Sequence, residues 1–387
     1  MKVVVFGYIV ACAFISFGFF QIWRTNIIDP NGRKYQTYLN SPSSFSTEEF
    51  GSEFFQSPVH LRCDFPPSTL QNALIRRAYE QKLRFRSFET GSSDPFVVLP
   101  NRVFPLPNPV VKLDFKFSSK TRTEYVTKAS EVNQGSFHVE PVLAVLAYMS
   151  KIQASLNVRG AIGEIGVHHG KFFVGLAHLA RIGERLWACD VFENQALNVD
   201  GSGFGDKQAF LRACETNGIT QNMLDVVSGS STDISNIALS FRLISVDGGH
   251  TRELTFNDLT LAACHLEKGG IIILDDVTNL AWGGVIDAMF TWTHYFPVDF
   301  GPFFVGYNKV FLADRSFHDT YYRAMVKYAS NAPAGMRFSL SPDTNLNPHK
   351  SIDSGSSMYL WSGYRYVFAG NDFDNTIAVD EWRKQIS

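Results

Sequence analysis

The sequence predicts an α/β fold: a parallel sheet with helices on both faces, preceded by an N-terminal membrane anchor. Three observations predict it. Between residues 137 and 313, short apolar runs of strand length alternate with longer stretches of helical periodicity. Several of those runs end in glycine or aspartate, at the carboxyl ends where such sheets bind ligands. Residues 3–23 carry no formally charged side chain, and about 20 apolar residues suffice to cross a bilayer as a helix.

Composition narrows the function classes. The chain has 387 residues, with 35 Lys plus Arg against 37 Asp plus Glu and a net charge of -2. That balance excludes a strongly basic nucleic-acid binder. Hydrophobic residues make up 45% and charged residues 19%, which excludes a disordered or fibrous chain. The five cysteines form no C-x-x-C and no Cys/His cluster, so neither a zinc module nor a disulfide framework is indicated.

The elements follow in order. Lys2 and Arg24 bracket the uncharged run, and Tyr8, Phe20 and Trp23 suit the membrane interfaces. This defines a single-pass signal-anchor over residues 1–24. A cleaved signal peptide competes, since Ala11-Cys12-Ala13 fits a small-x-small site, but the apolar run continues well past it. Basic residues on the two sides nearly balance; the very short tail fits a type II protein with its bulk in a secretory lumen. No N-x-[ST] site supports that address. Residues 25–136 form a stem and a region of unknown role. Within it, 29–67 is rich in Ser, Pro and Phe, a helix is expected after Pro67, and 83–109 is interrupted by Pro. Residues 112–125 alternate as a hairpin or edge ribbon would.

The main domain is read as residues 137–330. Val142, Leu143, Leu146, Met149 and Ile152 mark an apolar helix face. Strands are then expected at 161–167, 185–191, 224–228, 241–246, 270–274 and 309–313. Helices are expected at 171–182, 206–217, 254–266 and 282–296. Residues 331–387 read as a C-terminal extension covering the site or a partner surface.

Four strand ends carry the chemistry. The first reads E-x-G-x-x-x-G, from Glu164 through Gly166 to Gly170, with glycines that let backbone approach a ligand. It is not the G-x-G-x-x-G dinucleotide fingerprint. Asp190 ends the second strand, where a carboxylate accepts ribose hydroxyls; a helix cap is the alternative. Ser230, after the third strand, either lines a purine edge or caps a helix. Asp247, Asp275 and Asp276 end the fourth and fifth strands. Clustered carboxylates repel unless a cation compensates them, and oxygen ligands suit Mg2+, Ca2+ or Mn2+ rather than zinc. For the acidic pair alone, a cap at Asp276 and a lysine partner for Asp275 is the competing reading. His250 lies just past Asp247 and is the candidate general base, with His168 and His169 as runners-up. Lys171 reads as a surface or substrate-contact residue, and Trp282 either stacks on a sugar ring or packs a helix.

The stretch from about residue 160 to 313 resembles a class I S-adenosylmethionine-dependent methyltransferase. E-I-G-V-H-H-G at 164–170 is similar to its first cofactor motif and Asp190 to its ribose-binding acid. The D-x-x-H of Asp247 and His250, with the acidic pair, resembles the cation-dependent macrolide-sugar O-methyltransferases of the macrocin and mycinamicin type. The loop from Phe192 to Gly203 resembles a segment of bacterial relatives encoded near sugar-modifying enzymes. The resemblance implies a Rossmann-like methyltransferase sheet, S-adenosyl-L-methionine bound by Glu164, Gly166, Gly170, Asp190 and Ser230, and Mg2+ or Mn2+ on Asp247, Asp275 and Asp276. It also implies His250 as base and a sugar, glycan or other small-molecule acceptor. A non-catalytic glycan-binding scaffold on the same fold, or an oxidoreductase or hydroxylase of the superfamily, remains the alternative. Oligomeric state, including a homo-oligomer, stays open.

Overall fold

Alternation along each strand decides which helices it meets. In the computed structural model the described residues are 113–129, 138–296, 300–339 and 364–386, plus short backbone pairings at 27–28 with 34–35 and at 360–361. The chain forms two compact units, Met1–Val59 and His60–Ser387. In the first, Ile27–Ile28 pairs antiparallel with Lys34–Tyr35. The expected anchor, the stem at 29–67 apart from that pairing, the helix after Pro67 and the proline-broken segment lie outside the described residues. Among the described residues no helix is long and apolar enough to cross a membrane.

Among the described residues, the helices and strands of the second unit start with α1 (Ser119–Ala129) and α2 (Val139–Ser155). It continues through β1 (Ala161–Ile165), α3 (Lys171–Ala177), β2 (Leu186–Asp190), α4 (Lys207–Thr216), β3 (Leu224–Ser228), β4 (Phe241–Val246), α5 (Arg252–Cys264) and β5 (Leu266–Leu274). Then follow α6 (Gly283–Tyr295), β6 (Phe300–Gly306), β7 (Lys309–Asp314), α7 (Arg315–Asn331), β8 (Phe338–Ser339), β9 (Val367–Ala369) and α8 (Asn375–Ile386). The sheet order is β8-β9-β6-β7-β5-β4-β1-β2-β3. Strands β1 to β5 are mutually parallel. From β3 inward to β5 this is the 3-2-1-4-5 order of a doubly wound fold, whose switch point lies between β1 and β4.

Each central strand feeds two cores. Ile162, Leu243, Ile271 and Ile273 join one apolar cluster with α2, α3, α7 and α8. Ile165, Ile244, Ile272 and Leu274 join a second with α5 and α6. Helices on both faces therefore hold. Local caps set the helix starts: Asp206 accepts from the Ala209 amide at 2.7 Å, and Thr251 from that of Leu254 at 3.3 Å.

Three expectations are corrected. The sheet is mixed, not wholly parallel: residues 301–306 belong to a strand, and Tyr307 and Asn308 turn it back at φ 54° and 66°. Two positive φ values make a tight hairpin, so β7 runs antiparallel to both β6 and β5. The ribbon expected at 112–125 is a single bridge, Phe115 to Arg181, followed by α1. The Ser118 hydroxyl accepts from the Thr121 amide at 3.1 Å and starts the helix where the alternation stops. The helix expected over 171–182 closes at Ala177, and a turn carries the chain to Gly183 (φ 87°). Beyond residue 331, β9 pairs parallel with β6, and the buried Trp382 of α8 joins the core beside α2. Cys264 is disulfide-bonded, while Cys189 and Cys214 are buried free thiols.

At the ends of the strands away from the site, a buried charge network pins the layers. Glu184 Oε1 accepts from Arg242 Nε at 2.8 Å and from Arg181 Nε at 3.0 Å. Arg242 also reaches Gln153 Oε1 at 3.0 Å and the Leu179 carbonyl at 2.7 Å. Burial opposes ionisation of Glu184, but the two guanidinia outweigh it and hold the carboxyl below its ordinary range.

His178 sits between Phe117 and Tyr125, with ring centroids at 5.1 and 5.2 Å. Its Nδ1 is buried without a partner among the described residues. Burial pulls its pKa down to about 4 from 6.5. As pH falls below 6.5 the unfolded chain takes a proton that the folded one refuses, so stability drops between pH 6.5 and 4, by about 3 kcal/mol for this group. Urea midpoints of wild type and His178→Gln are expected to diverge on this basis. The variant loses less stability than wild type between pH 7 and 4.5; parallel losses would remove His178 from the account.

Candidate active site

The site is built where β1, β2, β4 and β5 end. Gly166 follows β1 at φ +87°, and a Cβ there would lie 1.7 Å from the Asp247 carbonyl oxygen. Only glycine fits, because the turn crosses directly over the end of β4. His168 (φ 50°) and Gly170 (φ 87°) complete the bend. The Asp190 carboxylate braces it: Oδ2 accepts from the His168 amide at 2.7 Å and Oδ1 from the Phe192 amide at 2.6 Å. Each oxygen retains a second lone pair for a ligand hydroxyl. Ser230 follows its alternative reading in part, because its Oγ accepts from the Thr232 amide at 3.2 Å and caps a short turn.

Parity along the strands explains which acids meet. Glu164, Ser245, Asp247, Asp275 and Lys309 share the face of the sheet that carries α2 and α3. Because β7 runs antiparallel, Lys309 at its start stands beside the end of β5, where Leu274 pairs with Val310. The fully buried Lys309 ammonium forms an ion pair with Asp275 and lies 4.5 Å from the Phe172 ring centroid. Asp275 Oδ1 accepts from the Asp276 amide at 2.7 Å. Burial works to lower the Lys309 pKa, but Asp275 and Asp247 outweigh it and keep the ammonium charged. Glu164, almost fully buried, is pushed up to about 8 by burial. Burial and the Asp275 charge together raise Asp247.

Asp276 turns the other way, at φ 59°. Its Oδ2 lies 3.0 Å from His250 Nε2, and its Oδ1 accepts from Asn308 Nδ2 at 2.7 Å. Asp247, His250 and Asp276 each offer a donor atom, all within 4.8 Å of one another. The structure thus unites two of the expected acids with the expected base. The third, Asp275, lies outside this group and is engaged by Lys309, as the competing reading of the pair had it.

His250 is held on several sides. Its Nδ1 lies 3.1 Å from Asp200 Oδ2, and its ring stacks on Trp282 at 4.3 Å and 17°. Trp282 thus packs on an imidazole of the site. Burial opposes protonation of His250, but the Asp276 and Asp200 carboxylates outweigh it and raise its pKa. His168 and His169 lie with their Nδ1 atoms 2.7 Å apart, and burial lowers the pKa of His168. Asp200 escaped the reading of strand ends because it lies in a loop; the one available signal was that loop's resemblance to a recurrent bacterial segment.

Residues 164–277 match the methyltransferase domain family. The match runs from the glycine turn to just past Asp276. The protein therefore carries a methyltransferase domain over these residues. The O-methyltransferase NovP is similar over 51% of this chain and 99% of its own, at 17% identity and a TM-score of 0.42. The TDP-rhamnose 3'-O-methyltransferase CalS11 of calicheamicin biosynthesis is similar over 50% and 93%, at 17% identity and a TM-score of 0.35. An O-methyltransferase from Bacillus cereus, in complex with SAH, is similar over 51% and 92%, at 15% identity and a TM-score of 0.37. Similarity at this level transfers no substrate and no residue role. No curated protein matches the sequence.

Proposed function

We propose that this protein transfers the methyl group of S-adenosylmethionine to a hydroxyl oxygen of a sugar, glycan or other small molecule, assisted by Mg2+ or Mn2+. One observation carries the reading: Asp247, His250 and Asp276 converge within 4.8 Å, next to the glycine turn that crosses over the end of β4. The turn at Gly166 and Gly170 and the carboxylate of Asp190 hold the cofactor, with Glu164 and Ser230 at its margins. Asp247 and Asp276 would hold the divalent ion. The donor set fits, since two carboxylates beside an imidazole suit a hard ion and burial leaves Asp247 in want of a compensating charge. When bound, the ion lowers the pKa of the acceptor hydroxyl.

His250 takes the acceptor proton. Its two ring nitrogens face the Asp200 and Asp276 carboxylates, which stabilise the imidazolium that forms when the ring takes that proton. The acceptor oxygen forms a bond to the methyl carbon as the carbon–sulfur bond breaks, and the sulfonium becomes a neutral thioether. Lys309 pairs with Asp275 beneath the site and offsets part of the charge that Asp275 sets against Asp247. The protein is further proposed to be attached to a membrane by residues 3–23, with the enzyme in a secretory lumen. The disulfide-bonded Cys264 favours such an oxidising compartment.

The test uses full-length protein, labelled S-adenosylmethionine and a panel of simple glycosides and phenols. Transfer is expected to stop in EDTA and return with Mg2+ or Mn2+. Asp276→Ala is expected to lose transfer while keeping S-adenosylhomocysteine binding. Full transfer in EDTA by both wild type and Asp276→Ala would remove the metal from the account.

A further inference from the structure

We propose that Asp258 sets the choice of base in the cofactor: its buried carboxylate accepts from the exocyclic amino group of adenine and rejects a purine with a carbonyl at that position. The inference rests on the reading of the glycine turn and Asp190 as a cofactor site, and adds a residue from a helix that no strand-end motif includes.

Asp258 lies on α5 and is 1% exposed. Its two oxygens are unequal. Oδ1 accepts from the Ser231 hydroxyl and from Asn257 Nδ2, the latter at 3.1 Å. Oδ2 accepts from no donor among the described residues. A buried carboxylate oxygen without a donor is costly, and a ligand that brings one removes the cost. A carboxylate that only tied the Ser231 loop to α5 would need Oδ1 and nothing more.

The free oxygen stands where strand ends meet. Ser231 follows β3 and Gly248 follows β4. A Cβ on Gly248 would stand 2.5 Å from Asp258 Oδ2 and 3.2 Å from the Ile165 side chain at the end of β1. Cys189, whose thiol feels the Asp258 charge, immediately precedes Asp190. The Asp190 carbonyl in turn accepts from the Gly229 amide at 2.9 Å. A base is joined directly to its ribose, so a ribose on Asp190 brings the base to this junction. The 6-amino group of adenine is a donor. Burial pushes Asp258 up to about 6, against the hydrogen bonds of Ser231 and Asn257, so at pH 8 the carboxylate is ionised and Oδ2 only accepts.

The test is calorimetric titration of full-length protein at pH 8 with S-adenosylhomocysteine and with S-inosylhomocysteine, which carries a carbonyl in place of the amino group. Wild type is expected to bind S-adenosylhomocysteine ~10- to 100-fold more tightly, the worth of a hydrogen bond to a charged group. In Asp258→Asn the donors on Oδ1 hold the amide oxygen there and leave its NH2 in the place of Oδ2. That variant is expected to reverse the preference, by about tenfold, because it donates to the carbonyl and opposes the amino group. Equal affinities in wild type overturn the proposal. So does an equal loss of both ligands in Asp258→Asn, which is what a role confined to holding the Ser231 loop predicts. Binding of neither ligand by wild type would overturn the cofactor reading and the proposal with it; the other outcomes leave that reading intact, so the two failures are distinguishable.

Discussion

Glu184→Ala is expected to destabilise the second unit by about 3–5 kcal/mol, the range for breaking a buried ion pair by removing one partner. The carboxylate is 5% exposed, and the guanidinia it joins, Arg181 and Arg242, are 1% and 0% exposed. Removing it leaves two buried cations facing one another, with hydrogen bonds to carbonyls and Gln153 but no counter-charge. The effect extends beyond the local turn, because Arg242 is on β4, Gln153 on α2 and Arg181 in the turn before β2. Chemical denaturation should show a midpoint far below that of wild type. A loss under 1 kcal/mol would mean that water or side-chain movement replaces the carboxylate. Glu184→Gln, which keeps shape and hydrogen bonding but not charge, should fall between the two.

Gly166→Ala is expected to abolish S-adenosylhomocysteine binding, by more than a hundredfold, and to lower stability as well. Two independent costs act. The residue sits at φ +87°, where a side chain is strained, and its Cβ would stand 1.7 Å from a backbone oxygen of Asp247. Backbone cannot rotate away as a side chain does, so either the turn or the end of β4 must move. Each displacement shifts a part of the site, the cofactor bend in one case and Asp247 in the other. Gly183→Ala is the control. It has the same φ, +87°, but nothing within 4 Å of its Cβ, so it reports the conformational cost alone. Equal binding by both variants would show that the close crossing of the Gly166 turn over the end of β4 is not what the site requires.

Much of this site was legible because apolar runs end abruptly at acids. Asp190, Asp247, Asp275 and Asp276 each follow an uninterrupted strand, and a parallel sheet brings such ends together whatever the loops do. The fate of Asp275 was not legible. It depends on β7 running antiparallel, which rests on two positive-φ residues, Tyr307 and Asn308, that carry no glycine to announce the turn. Only then does Lys309 stand at the same edge as Asp275. Asp200 was hidden for a different reason. It belongs to no periodic element, and its meaning comes from a contact made across 50 residues of chain. The place of α8 in the core was hidden too: its face shows only once Trp382 and Ile386 are seen in the same cluster as Val142 and Leu143.

The most direct measurement of the central claim is calorimetric titration of the full-length protein with S-adenosylhomocysteine and, separately, with NADH. The site described here predicts saturable binding of S-adenosylhomocysteine that Gly166→Ala removes, and no comparable binding of NADH, since the turn lacks the G-x-G-x-x-G arrangement. Binding of NADH with none of S-adenosylhomocysteine would contradict it.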